Sequence, residues 1–217
     1  MTADGGQVGD ALGEAERLYS DGLHQHGVGP KSVGWKDEAS QLLRFTKLAA
    51  VLDTREDRPV VINDLGCGYA AMFEFLDQMD GVNLAEYRGF DISAPMLNAA
   101  RERTDSRAQF VLGSEVTQVA DYSFVSGTFN VRGASGEKPW TQYVKESLLR
   151  LSEKSRSGFA FNALSTFVDY RTDGLFYADP AEFFVFCKSE ISPYVTLVHD
   201  YQLYEWTMLV RSPADHA

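Results

Sequence analysis

The chain has 217 residues, 44 % of them hydrophobic, which is enough for one sizeable core and short for two full domains. Its 20 Lys and Arg residues face 31 Asp and Glu residues, and the formal charge of −11 disfavours nucleic acid as a partner. With no apolar run of about 18 residues and no secretion signal at the start, we expect a cytoplasmic protein without a membrane partner.

The first part of the chain is expected to be helical after a loose start. Residues 1–12 are small, polar and Gly-rich, a composition that favours a flexible tail. The remaining residues, 13–217, are predicted to form one domain, with a helical cap over 13–55 and an α/β core over 56–217. Within the cap, residues 11–27 resemble one interrupted helix, and a loop rich in Gly and containing Trp35 follows it.

A second cap helix is predicted from apolar residues at helical spacing. The residues that share this stripe are Leu42, Phe45, Leu48, Ala49 and Leu52. The stripe should face the core, which leaves Gln41 and Arg44 on the polar side of the helix.

Strand-like and helix-like segments alternate after the cap. Strands are predicted over 60–65, 87–92, 110–112, 122–131 and 158–164, with helices over 70–79, 93–103 and 141–154. Such alternation is typical of a parallel sheet covered by helices. The last part, "YVTLVHDYQLYEWTMLV", consists of two β-rich runs with no helix between them, which indicates an antiparallel hairpin.

Two helix starts carry capping signals. Ser93 is a preferred N-cap residue, and "DPAE" places Asp179 at the cap, Pro180 in the first turn and Glu182 three positions after the cap. We therefore expect both helices to begin at these residues.

The stretch "VINDLGCGYA" predicts a strand, a tight turn and a helix. Gly66 and Gly68 allow the backbone to approach a ligand closely, and the helix start offers free N–H groups. Asp91, at the end of the second strand, can accept hydrogen bonds from both hydroxyls of a ribose. An adenosine-type ligand is expected, although the glycine spacing alone does not separate NAD from other adenosine ligands.

"VINDLGCGYA" and "GFDIS" together resemble the first two motifs of the class I S-adenosylmethionine-dependent methyltransferases. The resemblance covers residues 40–211. In that family an acidic residue stands two places before the first glycine, as Asp64 does, and its carboxylate complements the ammonium of the methionine part while repelling a diphosphate. The resemblance implies an α/β, doubly wound, mostly parallel seven-stranded sheet with an antiparallel C-terminal hairpin strand and an N-terminal helical lid.

The same resemblance implies a set of cofactor contacts for S-adenosylmethionine and its product S-adenosylhomocysteine. The expected residues are Asp64, Gly66, Cys67, Gly68, Asp91 and Ile92, with either Ser114 or Glu115 at the adenine amino group. Arg44, with Gln41 one turn earlier, is a candidate for the methionine carboxylate, the alternative being a solvated helix face. Trp35 either covers the cofactor or anchors its loop on the core.

The sequence also departs from the family pattern. Ala70 stands where the family has a third glycine, which is tolerable if the backbone stays helical there. After the fourth strand the chain has "SGTFN" instead of the Asn or Asp, Pro-Pro and aromatic motif of amino-methylating enzymes that act on DNA. This absence and the acidic charge favour a small-molecule acceptor.

Candidates for the acceptor site come from the aromatic and titratable residues. Tyr19, Phe129, Tyr177 and Tyr204 are candidates for lining an acceptor pocket. His24 or His26 could act as a general base if the amino-terminal segment covers the site and the acceptor arrives protonated. We expect no metal, and both Cys67 and Cys187 should be reduced thiols.

The predicted activity is O- or N-methylation of a small molecule, with positioning as the main catalytic contribution. Two alternatives stay open from the sequence. One is a non-catalytic protein that binds S-adenosylmethionine or S-adenosylhomocysteine, because binding and methylating residues largely coincide. The other is an NAD-binding oxidoreductase, which the short chain and Asp64 disfavour.

Overall fold

A computed structural model describes residues 3–54 and 58–213. The helices are α1 (Ala3–His26), α2 (Glu38–Ala49), α3 (Ala71–Asp77), α4 (Ala94–Arg103), α5 (Glu137–Glu153) and α6 (Pro180–Glu190), with a short 3-10 helix at Pro30–Val33. The strands are β1 (Pro59–Leu65), β2 (Asn83–Asp91), β3 (Ala108–Leu112), β4 (Ala120–Val125), β5 (Ser155–Ser165), β6 (Tyr177–Ala178), β7 (Tyr194–Val198) and β8 (Glu205–Arg211).

The strands form one sheet in the order β3-β2-β1-β4-β5-β8-β7, and the two-residue β6 pairs with β5 as an eighth strand. β1 to β5 pair in parallel, whereas β8 runs antiparallel to both β5 and β7. The predicted α/β sheet with an antiparallel C-terminal hairpin is confirmed. Because β1 has β2 on one side and β4 on the other, the chain reverses its direction of winding there, which is where ligand crevices form in such sheets.

The sheet buries apolar side chains on both faces, as expected for strands that helices cover. In β5, Phe159 and Phe161 belong to one hydrophobic cluster and Ala160 to the other. This alternation follows from the two-residue period of a strand. Trp206 of β8 is fully buried beside Phe161, with ring centroids 5.4 Å apart.

Both predicted helix caps are confirmed. The Ser93 hydroxyl accepts a hydrogen bond from the Met96 N–H at 3.2 Å. Asp179 Oδ1 accepts from the N–H groups of Ala181 at 2.7 Å and Glu182 at 3.1 Å. Each cap depends only on residues within three positions, which is why the sequence indicates it.

The predicted loose tail over 1–12 is wrong for the part that the structure describes, because α1 begins at Ala3. Ala11 is 1 % exposed and belongs to a core cluster, with Val8 and Leu12 packed against it. Packing of these apolar residues offsets the low helix propensity of the glycines around them. Residues 1 and 2 lie outside the described residues, and the division at 13–55 and 56–217 stays a prediction.

The core-facing stripe of α2 is only partly as predicted. Phe45 and Leu48 are buried, whereas Leu42 is 43 % exposed. Gln41 and Arg44, expected on the polar side, are both 6 % exposed. The helix is therefore rotated so that two polar side chains face inward, where each has a hydrogen-bond partner.

No helix within the described ranges is long and apolar enough to cross a membrane.

Candidate functional site

A cavity of about 980 Å³, counted with its open mouth, lies at the carboxyl ends of β1, β2 and β4. The strand ends contribute Asp64, Asp91 and Ser126 to its wall. The remaining wall comes from α1 to α5, the loop after α1, the Gly-rich turn and the loops after β2, β3 and β4. The sheet thus supplies the floor, and the amino-terminal segments supply much of the cover.

The Gly-rich turn needs glycine at Gly66 for two separate reasons. Its φ is +74°, in the left-handed region that other residues rarely adopt. A Cβ atom at this position would also lie 2.1 Å from the Thr128 hydroxyl oxygen, which donates a hydrogen bond to the Leu65 carbonyl at 2.8 Å. The turn after β1 and the loop after β4 are therefore packed directly against each other.

Asp91 is held by backbone N–H groups on both oxygens. Its Oδ2 accepts from the Gly68 N–H at 2.8 Å and its Oδ1 from the Ser93 N–H at 2.8 Å. The residue is 7 % exposed, and burial raises the pKa of this carboxyl although the hydrogen bonds oppose that shift. Each carboxylate oxygen can accept a second hydrogen bond, so the side chain can still receive donors from the cavity.

Asp64 presents an unsatisfied oxygen to the same cavity. The residue is 2 % exposed, the Tyr87 hydroxyl donates to Oδ2, and Oδ1 has no hydrogen-bond partner in the described part of the chain. Burial raises the pKa of Asp64 to about 7, with the Tyr87 hydrogen bond opposing the shift and the charge of Asp91 adding to it. A buried acceptor without a donor is costly, which makes Asp64 a binding position for a ligand with N–H donors.

Ala70 adopts φ 61° and ψ 36° immediately before α3. The condition under which alanine would be tolerated here, a right-handed helical backbone, is therefore not met. Ala70 is the only residue other than glycine with a positive φ in the described ranges, and it carries the strain that a third glycine would remove.

Cys67 fills the space beneath the turn. It is 7 % exposed, and a Cβ added to Gly89 of β2 would lie 2.6 Å from its sulfur. Burial raises the pKa of the Cys67 thiol well above its usual value, and the nearby Asp91 and Asp64 raise it further. The thiol therefore packs in the wall and is a poor nucleophile.

The titratable side chains that face the cavity are mainly acidic. Asp64 and Asp91 line it, and the lining that the structure describes contains no Lys, Arg or His side chain. Two carboxylates without a basic partner favour a cationic ligand and disfavour a diphosphate.

One side of the cavity is aromatic. Tyr143 contacts Phe129 edge to face, with centroids 6.2 Å apart, and tilts against Trp140 at 5.0 Å. The Trp140 indole N–H donates to the Phe129 carbonyl at 2.9 Å, which fixes the ring. Tyr19 of α1 lines the same cavity, and desolvation raises its pKa to about 12, with the charge of Asp91 adding to the shift.

Most residues predicted for the cofactor and two predicted for the acceptor meet in this cavity. These are Trp35, Asp64, Gly66, Cys67, Gly68, Asp91, Ile92, Ser114, Tyr19 and Phe129. Gln41 also lines it and accepts a hydrogen bond from the Tyr69 hydroxyl at 3.0 Å. The sequence motifs therefore coincide with the cavity.

Two of the predicted cofactor residues lie elsewhere. Arg44 is buried in an ion pair with Glu205, so it lies neither on a solvated face nor in the cavity wall. Of the open pair Ser114 and Glu115, Ser114 lines the cavity. Glu115 instead pairs with Arg150 at 3.2 Å.

The predicted bases and two of the aromatic candidates are also outside the cavity lining. His24 and His26 are exposed in the last turn of α1, beyond the part of the helix that covers the cavity. The Tyr177 hydroxyl accepts from the Thr172 N–H at 2.9 Å. Tyr204 is 51 % exposed and donates to Asp169. The cavity lining does not support these assignments, which stay predictions, because composition does not tell which aromatic or histidine faces a cavity.

Several residues that line the cavity were not among those predicted from the sequence. Trp140 and Tyr143 lie one turn apart on α5, and this helical spacing of aromatics was an available signal. Ser126 was assigned to the interior of a strand over 122–131, whereas β4 ends at Val125. Its hydroxyl oxygen is buried and has no hydrogen-bond partner in the ranges that the structure describes.

The Gly-rich turn follows the buried carboxylate of Asp64, and a second carboxylate, Asp91, lies at the end of the neighbouring strand β2. This arrangement defines an α/β protein that binds an adenosyl ligand. No family model matches the chain. A protein of Mycobacterium tuberculosis (strain ATCC 25618 / H37Rv), named "Putative methyltransferase Rv1506c", is 43 % identical over 157 residues, which are 70 % of this chain and 93 % of that protein. The chain belongs to the class I S-adenosylmethionine-dependent methyltransferases.

Solved structures of methyltransferases share the fold. The 1,6-didemethyltoxoflavin-N1-methyltransferase of Burkholderia thailandensis, with bound 1,6-didemethyltoxoflavin and S-adenosylhomocysteine, superposes with a TM-score of 0.65 at 17 % identity, covering 98 % of this chain and 91 % of that chain. Magnesium protoporphyrin IX methyltransferase of Synechocystis PCC 6803, with bound SAM, gives a TM-score of 0.63 at 10 % identity, covering 92 % and 96 %.

Proposed function

We propose that this protein transfers a methyl group from S-adenosylmethionine to a small, flat and largely apolar acceptor. One observation carries the proposal: two buried carboxylates flank the Gly-rich turn, and one of them has an oxygen that still needs a donor. The family membership of the chain agrees with this assignment of the cavity.

The described donor and acceptor groups fit the cofactor. Asp64 Oδ1 can accept from the ammonium of the methionine part, because this oxygen lacks a partner in the part of the chain described. Asp91 retains acceptor capacity for the two hydroxyls of a ribose. Ile92 and Ser114 line the cavity on the side of β2 and β3, where we place the adenine.

The charge balance favours S-adenosylmethionine over NAD. S-adenosylmethionine carries a sulfonium and an ammonium against one carboxylate, whereas NAD carries a diphosphate. The described lining contains two acids and no basic side chain. Placing a diphosphate beside Asp64 and Asp91 would add like charges in a poorly solvated site.

When bound, the cofactor supplies an electrophilic methyl group on its sulfonium. The residues of the chain then have three tasks: to hold the donor, to orient the acceptor and to exclude water. α1 contributes Leu12, Ala15 and Tyr19 to the cover, and the loop after it contributes Val33 and Trp35. These apolar and aromatic side chains exclude water from the space above the turn.

Proton transfer by a histidine is not part of the proposal. His24 and His26 are exposed and outside the lining, and the high pKa of Tyr19 makes its hydroxyl a poor base. We infer that the acceptor reacts through a nitrogen or oxygen that needs no protein base, either because it is already unprotonated or because it ionises readily. Positioning then supplies most of the rate enhancement, through effective molarities that reach about 10⁵ M or more in well-oriented reactions.

The aromatic wall supports the choice of acceptor. Phe129, Trp140 and Tyr143 form a contiguous set of rings in the wall of the cavity. Rings of this kind favour flat apolar molecules through offset or edge-to-face contacts. Two of the structural neighbours are named for aromatic heterocycles, toxoflavin and protoporphyrin, which agrees with this class of acceptor.

Calorimetric titration with S-adenosylmethionine, S-adenosylhomocysteine and NAD tests the cofactor assignment. We expect binding of the first two and none of NAD. Incubation of the protein with methyl-labelled cofactor and a pool of heteroaromatic phenols and amines, followed by mass spectrometry, then tests transfer. Tight binding of S-adenosylhomocysteine without methylation of any acceptor would favour a non-catalytic binding protein.

A further inference from the structure

Five residues from five segments of the chain form a closed ring of contacts at one side of the cavity. We propose that Arg44, Glu205 and Asn162 are positioning residues that hold Trp35 and Gly127 in the wall of the cofactor cavity. The identity of the ligand rests on the proposed function, whereas the ring itself is a property of the ligand-free protein.

An ion pair between α2 and β8 forms the first part of the ring. Arg44 Nε lies 3.0 and 2.8 Å from the two carboxylate oxygens of Glu205, and Arg44 Nη2 lies 2.5 Å from Oε1. The side chains are 7 % and 2 % exposed. Arg44 Nη1 also donates to the Ser40 carbonyl at 2.9 Å, so the guanidinium is fixed in one orientation.

Asn162 connects this ion pair to the loop after β4. Its Nδ2 donates to Glu205 Oε2 at 3.0 Å, and its Oδ1 accepts from the Gly127 N–H at 2.7 Å. Asn162 is 0 % exposed. The position of the Gly127 peptide is therefore coupled to the ion pair through a single buried amide.

Trp35 closes the ring between the two ends of this chain of hydrogen bonds. The guanidinium carbon of Arg44 lies 3.7 Å from the centroid of the Trp35 ring. A Cβ added to Gly127 would lie 2.4 Å from Trp35 Cη2, so the indole rests directly on the Gly127 backbone. Trp35 and Gly127 line the cavity, whereas the other three residues do not, and those three act only through them.

The loop that carries Trp35 needs such an anchor. Gly27, Gly29 and Gly34 all have positive φ, and loops rich in such glycines have many alternative conformations in the absence of tertiary contacts. If Trp35 were mobile in the free protein, each binding event would cost the conformational entropy of ordering it and its loop. A Trp35 side chain that is already fixed avoids this cost.

Stability alone is a weak explanation for the ion pair. Buried ion pairs are often no more stabilising than apolar side chains of the same volume, because desolvation offsets their attraction. The planar guanidinium does provide something that an apolar residue lacks, namely two in-plane donors for Glu205 and a flat face for Trp35.

The double variant Arg44→Met with Glu205→Gln tests the proposal. It removes both charges together, so no unpaired charge is left buried, and the glutamine oxygen can still accept from Asn162. We expect at least a tenfold weaker Kd for S-adenosylhomocysteine by calorimetry. In the ligand-free protein we expect faster amide hydrogen exchange over residues 28–36, with unchanged exchange in β1 and β2.

The matched control makes the same two substitutions at an ion pair away from the cavity. Arg88→Met with Glu86→Gln removes a pair on β2 whose nitrogen and oxygen lie 2.7 Å apart. Neither residue lines the cavity. We expect wild-type affinity and wild-type exchange over residues 28–36 in this control.

If the first double variant does not fold, Arg44→Lys provides the second test. Lysine keeps the charge opposite Glu205 but lacks the planar face that stacks on Trp35. We expect a folded protein with faster exchange over residues 28–36 and an affinity loss of about threefold or more.

Wild-type affinity together with wild-type exchange in the folded variants would overturn the positioning role. If the wild-type protein itself does not bind S-adenosylhomocysteine, the proposed function fails, and exchange in the ligand-free variants still decides whether the ring holds the loop.

Discussion

Replacing Asp64 by asparagine should stabilise the ligand-free protein at pH 8 and at the same time weaken cofactor binding. In the folded protein burial raises the pKa of Asp64 from 3.8 to about 7. Between these two pH values the folded state keeps a proton that the unfolded chain has lost. The free energy of unfolding therefore falls as the pH rises through this window and levels off above about pH 7.

The magnitude follows from the width of that window. The difference between 3.8 and about 7 is about 3 pH units, which at about 1.4 kcal/mol per unit gives a penalty of about 4 kcal/mol at pH 8. Asparagine removes this penalty. Its amide NH₂ group would, however, be buried at the position of Oδ1, for which no hydrogen-bond partner is described. Leaving that amide without a partner costs about 1–3 kcal/mol of the free energy of unfolding. We expect a net stabilisation of about 1–3 kcal/mol, or a rise in Tm of about 2–10 °C.

Thermal unfolding at pH 8 and pH 5, followed by circular dichroism, measures this effect. At pH 5 most of the wild-type penalty has disappeared, so the advantage of Asp64→Asn should shrink by about 2–3 kcal/mol. Calorimetry should show an affinity for S-adenosylmethionine that is weaker by about 1.5–3 kcal/mol, roughly 10- to 150-fold, because the ammonium loses a charged acceptor. An equal Tm difference at both pH values, or a variant with wild-type affinity, would refute the reasoning.

The same carboxyl should make binding depend on pH. A bound ammonium favours the ionised form of Asp64, so affinity for S-adenosylhomocysteine should rise between pH 5 and about 7 and level off above that. Calorimetry across this range should give a limiting slope of about tenfold per pH unit, and Asp64→Asn should show little change. A flat wild-type profile would place the ammonium away from this carboxyl.

Three further predictions concern the turn and its neighbours. Ala70→Gly should change the free energy of unfolding by less than about 1 kcal/mol, whereas Ala70→Val should lower it by more than about 2, because a β-branched residue is strongly strained at positive φ. Asp91→Ala should weaken cofactor binding by about 1.5–3 kcal/mol and lower the Tm, since the Gly68 and Ser93 N–H groups lose their acceptor. Cys67 should not react with a disulfide reagent at pH 8 until the protein unfolds, because burial raises its pKa.

Each of these predictions has a distinct contrary result. Equal destabilisation by the two Ala70 variants would show that the positive φ does not decide the cost. Unchanged affinity in Asp91→Ala, measured by calorimetry, would remove this residue from the site. Rapid labelling of Cys67 in the native protein, located by mass spectrometry, would show that the turn opens readily.

The sequence indicated the local parts of the site because each depends on residues close together in the chain. The Gly-rich turn needs positive φ at Gly66 and Gly68, and only glycine adopts this without strain. The caps at Ser93 and Asp179 are hydrogen bonds within three residues. The alternation of strands and helices, with a β-rich end, indicated a mostly parallel sheet with an antiparallel C-terminal hairpin.

The family resemblance also implied that both Asp64 and Asp91 would contact the cofactor. It did not indicate that Asp64 would be so deeply buried that one oxygen lacks a described partner. Burial depends on what covers the strand ends, and here the cover comes from α1 and the loop after it. The raised pKa of Asp64 is therefore a tertiary property.

Contacts between distant segments were decided only by the tertiary structure. Arg44 and Glu205 are 161 positions apart, and no periodicity in α2 shows that its polar side turns inward toward β8. The ordering of residues 3–12 into α1 likewise depends on packing against the core, because these residues have little helix propensity of their own. Local sequence patterns determined which residues form the turn and the helix caps. Contacts between side chains that are remote in the sequence determined which residues face the cavity.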